Sequence, residues 1–150
     1  MLKTYQHQFE VASSITRVAE FHLDARTLGL LTPPPVIVKF HMVQPLKEGS
    51  VVDFTLWLGP IPVRWVGVHH DIDPLTGFTD SMMKGPFEAW VHQHQFVALD
   101  PNRTRVIDTI KALPSPHPFW GLVSSFMWYT LPLLFAYRSW RTKSACNKPS

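Results

Sequence analysis

A chain of 150 residues with 45% hydrophobic and 17% charged side chains is long enough for one domain burying roughly 70% of its unfolded surface, and too apolar to be disordered. Its single cysteine, Cys146, excludes a disulfide framework and a thiolate metal site, and points to a reducing compartment. The net charge of +3 is uneven: residues 1–108 carry 9 basic and 11 acidic side chains, whereas residues 109–150 carry 5 basic and no acidic ones.

From the N-terminus, Tyr5, His7, Phe9 and Val11 alternate with Thr4, Gln6, Gln8 and Glu10, the period of a half-buried strand. The same alternation is not the apolar core of a secretory signal, so a cytoplasmic location is the default expectation. Ser13 and Ser14 can cap a helix whose inner positions are Ile15, Val18, Ala19 and His22. A second short helix is expected near 25–31, closed by Pro33-Pro34-Pro35, since proline removes a helical donor.

Strands follow. Val36, Val38, Phe40 and Met42 form one apolar face, and Val52, Phe54, Leu56 and Leu58 another. Gly59-Pro60 is a two-residue connection that pairs Leu58 with Ile61, Leu56 with Val63, Phe54 with Trp65 and Val52 with Gly67. This register matches the apolar faces and turns Trp65 inward; a one-residue slip would put Arg64 there. Asp73 to Gly77 is a turn into a strand over Phe78–Met83, whose facing the pattern leaves open.

The segment Gly85 to Phe96 reads as a strand with Glu88, Trp90, His92, His94 and Phe96 on one face. Two imidazoles between aromatic rings suit a largely apolar pocket that holds one polar group. Centring the next turn on Pro101 places His94 opposite Asp108 and Phe96 opposite Val106, with Ile110 and Ala112 continuing the inner face and Arg105 and Lys111 outside.

From Pro118 to Tyr137 there are 20 residues without a charged side chain, a length that meets the threshold for a membrane span. Phe119, Leu122, Val123, Phe126, Met127, Leu131 and Leu134 nevertheless make a helical stripe. The favoured reading is one long C-terminal helix lying on the sheet and bent at Pro132. Arg138, Arg141, Lys143 and Lys148 beyond the uncharged run suit a membrane surface or an acidic partner, or a solvated basic tail over 142–150. They lack the folded basic face with exposed aromatics that nucleic acid requires, so none is expected.

Strand, two short helices, a run of antiparallel strands and a long helix make an α+β domain. The order resembles the helix-grip fold of the START and pollen-allergen superfamily, also called SRPBCC or the polyketide cyclase/dehydrase and lipid-transport group. Residues across about 3–141 carry the likeness: Leu31-Thr32-Pro33-Pro34, Gly77-Phe78-Thr79-Asp80, Gly85-Pro86-Phe87 followed by Trp90, His92, His94 and Phe96, then Asp108, and Phe135-Ala136-Tyr137-Arg138. The run from Gly85 to Phe96 is similar to one uncharacterised subgroup. The resemblance implies a curved sheet closing on a terminal helix over a cavity for an apolar or amphipathic small molecule. It does not imply a reaction, because the superfamily holds carriers, sensors and enzymes.

The expected ligand-binding residues are Phe40, Phe54, Trp65, Trp90 and Phe96 for the apolar wall and His69, His92, His94 and Asp108 for polar contacts. His92 and His94 could bind a metal with a third ligand from His69, Glu88 or Asp108, but only two ligands can be placed, and no metal or cofactor is expected. A His94–Asp108 pair has the form of a base and its orienter, with no nucleophile beside it. Three readings follow: an intracellular binding protein for a hydrophobic or amphipathic small molecule; a cyclase or dehydratase using His94 and Asp108; and a protein held at a membrane by the C-terminal apolar helix.

Overall fold

Period-two alternation over the first 114 residues becomes a single antiparallel sheet. The computed structural model describes residues 2–147, in the order β1 (Lys3–Val11), α1 (Ile15–Leu23), α2 (Thr27–Leu30), β2 (Ile37–Val43), β3 (Val51–Leu58), β4 (Ile61–Asp73), β5 (Gly77–Lys84), β6 (Phe87–Asp100), β7 (Arg103–Pro114), α3 (Pro118–Tyr129) and α4 (Leu131–Cys146). The seven strands lie in the order β1-β7-β6-β5-β4-β3-β2. Strands β2 to β7 therefore form a meander, and β1 pairs back onto β7. This is the helix-grip architecture expected from the element order.

The hairpin register expected at Gly59-Pro60 is the one observed: Leu58 pairs with Ile61, Leu56 with Val63, Phe54 with Trp65 and Val52 with Gly67. Trp65 stacks on Phe54 with ring centroids 6.3 Å apart and planes 12° apart. Across the turn at Pro101, His94 faces Asp108 and Phe96 faces Val106, again as expected. Ser14 caps α1, its hydroxyl accepting from the Arg17 amide at 3.3 Å.

Two local expectations fail, each where a ladder is interrupted. The register shifts between Phe40 and Met42, so Val43 packs against the core while Met42 is 43% exposed. A second shift between Phe87 and Ala89 buries Phe87 and turns Glu88 to solvent, removing Glu88 from the inner face. The long C-terminal helix bends as expected, with the break two residues before Pro132. It divides at Thr130 into α3 and α4, bent by 50°, and Pro132 sits in the first turn of α4, where a missing N–H costs nothing. Thr130 secures the break, its hydroxyl donating to the carbonyls of Phe126 and Met127 at 3.0 Å each.

Two apolar clusters flank the inner face. One joins Phe54, Trp65, Phe87 and Ile110 to Leu131 and Phe135 of α4. The other joins Val11, Val18, Phe78, Phe96 and Val106 to Cys146. The helix therefore persists through residues expected to be a solvated tail: Thr142 and Cys146 are buried, and the Asn147 side chain accepts from the Ala12 amide at 3.0 Å. Lys148 lies outside the described residues.

Gly77 adopts φ +138°, and a Cβ there would collide with the His94 carbonyl oxygen. Gly59 at φ +61° has open space around it. Gly77→Ala should therefore cost about 3 kcal/mol or more in urea unfolding, and Gly59→Ala about 1 kcal/mol. Equal losses would show that β5 and β6 do not approach as closely as described.

Candidate functional site

Between the sheet and the α3–α4 elbow lies a cavity of about 680 Å³. Its walls are the inner faces of β3 to β6, the segment from α2 to Val36, and the residues on both sides of Thr130. Of the expected ligand-binding residues, Phe54, Trp65, His69, Trp90, His92 and His94 are on its wall. Phe40 packs edge-on against Phe54 from β2, centroids 6.2 Å apart, outside the wall. Phe96 belongs to the second apolar cluster, 4.9 Å from the His22 ring. Asp108 is buried on β7, behind the two imidazoles that it contacts.

The polar end of the cavity is an alternating row of imidazoles and carboxylates. His69 Nε2 lies 2.8 Å from Asp80 Oδ1, and His94 Nε2 lies 2.8 Å from Asp80 Oδ2. His94 Nδ1 is 3.3 Å from Asp108 Oδ1, and the same oxygen accepts from His92 Nε2 at 2.8 Å. At the outer end Ser50 Oγ is 3.1 Å from His69 Nδ1 and accepts from the Lys47 amide at 3.2 Å. With Ser50 donating to His69 Nδ1, the His69 proton sits on Nε2 beside Asp80 Oδ1, a close approach outside hydrogen-bond geometry. The row thus runs Ser50, His69, Asp80, His94, Asp108, His92, crossing β4, β5, β6 and β7 just beyond the β3 edge.

His94 faces a carboxylate with each ring nitrogen, the arrangement of an imidazolium. Burial works against its charge, but the hydrogen bonds and charges of Asp108 and Asp80 outweigh it and raise its pKa to about 9. Its ring stands between Phe78, centroids 4.3 Å apart, and His92, 3.8 Å apart. For His92, burial and then the neighbouring His94 charge lower the pKa to about 4, against the opposing pull of Asp108. Burial would raise both carboxyl groups, yet their imidazole partners hold Asp80 and Asp108 well below the usual carboxylate range. At neutral pH two stacked imidazoles therefore carry different charge, one cationic and one neutral.

The expected pairing of His94 with Asp108 is present as a 3.3 Å approach outside hydrogen-bond geometry, and the hydrogen bond that Asp108 accepts comes from His92 at 2.8 Å. Besides Ser50, three ionisable participants were not among the expected site residues. Asp80 was missed because the facing of β5 was open, although a signal exists: centring the β5–β6 turn on Pro86 sets Asp80 opposite His92, which is the pairing observed. His22 lines the cavity, donates from Nδ1 to the Val18 carbonyl at 2.8 Å, and is lowered by burial to about 4. Arg138 also lines the cavity; its Nε donates to the Leu31 carbonyl at 3.3 Å, and its guanidinium lies 5.3 Å from the Phe135 ring centre. Burial lowers its pKa against the charges of Asp108 and Asp80. With His94 set against two carboxylates, Arg138 supplies the positive charge that balances this end of the cavity.

Asp80, His92 and His94 each offer one ligand atom, all within 4.8 Å of one another. Both nitrogens of His94 already face carboxylates, so a metal ion would have to displace one of those contacts and the proton that goes with it.

No family model and no curated protein matches the sequence. Solved structures do match in shape. The Zhui aromatase/cyclase from Streptomyces sp. R1128 superposes with a TM-score of 0.79 at 14% identity, over 98% of this chain and 94% of that one. Norcoclaurine synthase from Thalictrum flavum, in complex with dopamine and hydroxybenzaldehyde, gives 0.69 at 16% identity over 100% and 90%. Ara h 8.0201 gives 0.65 at 11% over 94% and 98%. At these identities the likeness concerns the backbone, and this chain has the helix-grip fold that the three share.

Proposed function

We propose that the chain is a binding protein for a hydrophobic or amphipathic small molecule held between the sheet and the α3–α4 elbow. The observation that carries this reading is an apolar cavity of about 680 Å³ with ionisable groups gathered at one end. Such a volume suits a ligand of drug or lipid-fragment size. Apolar burial at about 25 cal/mol per Å² supplies the affinity, and the row of imidazoles with Arg138 orients the ligand's polar end.

Titration with the fluorescent apolar probe N-phenyl-1-naphthylamine should show one saturable site that quenches Trp65 and Trp90. Leu56 lines the wall, and Leu56→Trp should weaken the probe about tenfold or more by filling the hollow. An unsaturable signal in the unmodified protein would remove the reading.

A second reading, an acid–base enzyme of the cyclase or dehydratase type, is favoured by one observation: adjacent imidazoles with pKa values pushed apart to about 4 and about 9. In that reading the base is His92, neutral and oriented by Asp108, while His94 supplies a fixed positive charge. The roles differ from those expected from sequence, where His94 was the base. If the molecule that co-purifies from the protein's own source is converted in vitro, His92→Gln should slow conversion about 100-fold while leaving probe binding within about twofold. Conversion at the unmodified rate in that variant would exclude the assignment.

The charge assignment has its own consequence for stability. His94 is raised to about 9, so its contribution is full below its unfolded value near 6.5 and disappears as pH rises through about 9. His22 and His92, lowered to about 4, act oppositely: the unfolded chain binds their protons first, so stability falls as pH drops from about 6.5 toward 4. The urea midpoint should peak near pH 6.5, with an alkaline decline on the order of 3 kcal/mol. Asp80→Asn should flatten that decline. A midpoint unchanged between pH 6.5 and 9 in the unmodified protein would show that His94 is not held as a cation.

A further inference from the structure

Helix α3 packs Met127 and Trp128 on the core but turns much of its apolar surface outward. Its fully buried residues are Val123 and Ser124, whereas Phe119, Leu122, Phe126 and Tyr129 are 45%, 74%, 63% and 72% exposed. Spacings of three, four and three place these four on one outward stripe. The outward side of α4 continues it with Leu133 at 74% and Trp140 at 58%. Elsewhere the exposed large apolar side chains are scattered along strands and turns, as on any soluble protein.

Three further features accompany this surface. Phe126 and Leu133 belong both to the exposed stripe and to the cavity wall, so the cavity opens at the elbow. Tyr129 and Trp140 are the ring types that settle at the level of lipid headgroups. The two helices carry charge of one sign, since after Asp108 the sequence contains no acidic residue; the exposed carboxylate on the cavity wall is Asp24, from the α1–α2 connection. Lys3 lies against the stripe, its Nζ 3.5 Å from the Tyr129 hydroxyl and 5.0 Å from the ring centre. Arg141 sits beside Trp140, 5.6 Å from its ring centre, and exposed Lys143 follows one turn on.

We propose that the α3–α4 elbow docks on an anionic phospholipid surface, with the cavity mouth turned to the lipid so that the ligand exchanges through it. The docking stands on the exposed stripe and its charge; the exchange rests on the ligand-binding reading above. Among the described residues no single helix is long and apolar enough to cross a membrane, and the pair together is bent by 50°, which suits a lipid-surface contact of two short segments. A second copy of the chain is the other occupant to consider, but a symmetric pairing would bring two acid-free, basic surfaces together.

The test uses the full chain with vesicles of phosphatidylcholine alone and with about one third phosphatidylglycerol. Co-sedimentation should favour the anionic vesicles by about tenfold or more, and high salt should weaken it. Leu122 and Tyr129 are exposed and absent from the cavity wall; Leu122→Asp with Tyr129→Asp should abolish sedimentation and leave N-phenyl-1-naphthylamine binding in solution within about twofold. Vesicle binding without probe binding would keep the docking and sink the ligand reading. Probe binding with no sedimentation on anionic vesicles would overturn the docking, as would a homodimer that the double variant dissociates while vesicle binding persists.

Discussion

Two carboxylates on the inward side of a sheet cannot be left unpaired, because an isolated buried charge costs several kcal/mol even after relaxation. Asp108 and Asp80 meet this constraint with imidazoles on neighbouring strands, and the pairing ties β4, β5, β6 and β7 together laterally at one level of the sheet. Hydrophobic matching sets the register of each hairpin separately. The ionic row makes those registers depend on one another, since moving β5 by one residue would point Asp80 to the outer face and strand His69 and His94. Shared protons also force asymmetry: once His94 is charged between both carboxylates, the stacked His92 is pressed toward neutrality.

The hollow beside this row has a different origin. A straight helix over residues 118–146 would lay its apolar stripe along the sheet and fill the space. Thr130 instead diverts the chain by 50°, so Leu131 and Phe135 of α4 close the inner face together with Met127 and Trp128 of α3, while Phe119, Leu122, Phe126 and Tyr129 turn outward. One break therefore leaves both the cavity and the exposed apolar elbow at its mouth. Within the ionic row His69, His92 and Asp108 are buried, while the Asp80 side chain is 28% exposed.

Much of this was legible beforehand where a short turn fixes the count. Gly59-Pro60 and the turn at Pro101 determined two pairings residue by residue, and the alternation of β1 and β7 could be read directly. Legibility was lost at irregularities. The shifts after Phe40 and after Phe87 each disturb the in–out alternation locally; Met42 and Glu88 were misplaced for that reason, while Trp90 to Phe96 beyond the second shift kept their expected facing. Asp80 was recoverable from the Pro86 turn. The spacing of the first helix put His22 on its inner side, but Arg138 was not recoverable, because whether a helical polar residue enters a cavity depends on how the helix rotates against the sheet.

Local covalent and steric rules were enough to establish an antiparallel meander, a capped first helix, an apolar terminal segment and an imidazole-bearing strand facing inward, because each rests on contacts a few residues apart. The choice of partners for those imidazoles was made only in three dimensions, where strands distant in sequence bring two carboxylates within 3.3 Å of His94. The direction of α3 was decided there as well. An apolar run of residues states how much surface avoids water, but which side of it meets protein and which is left outside follows from the angle at Thr130.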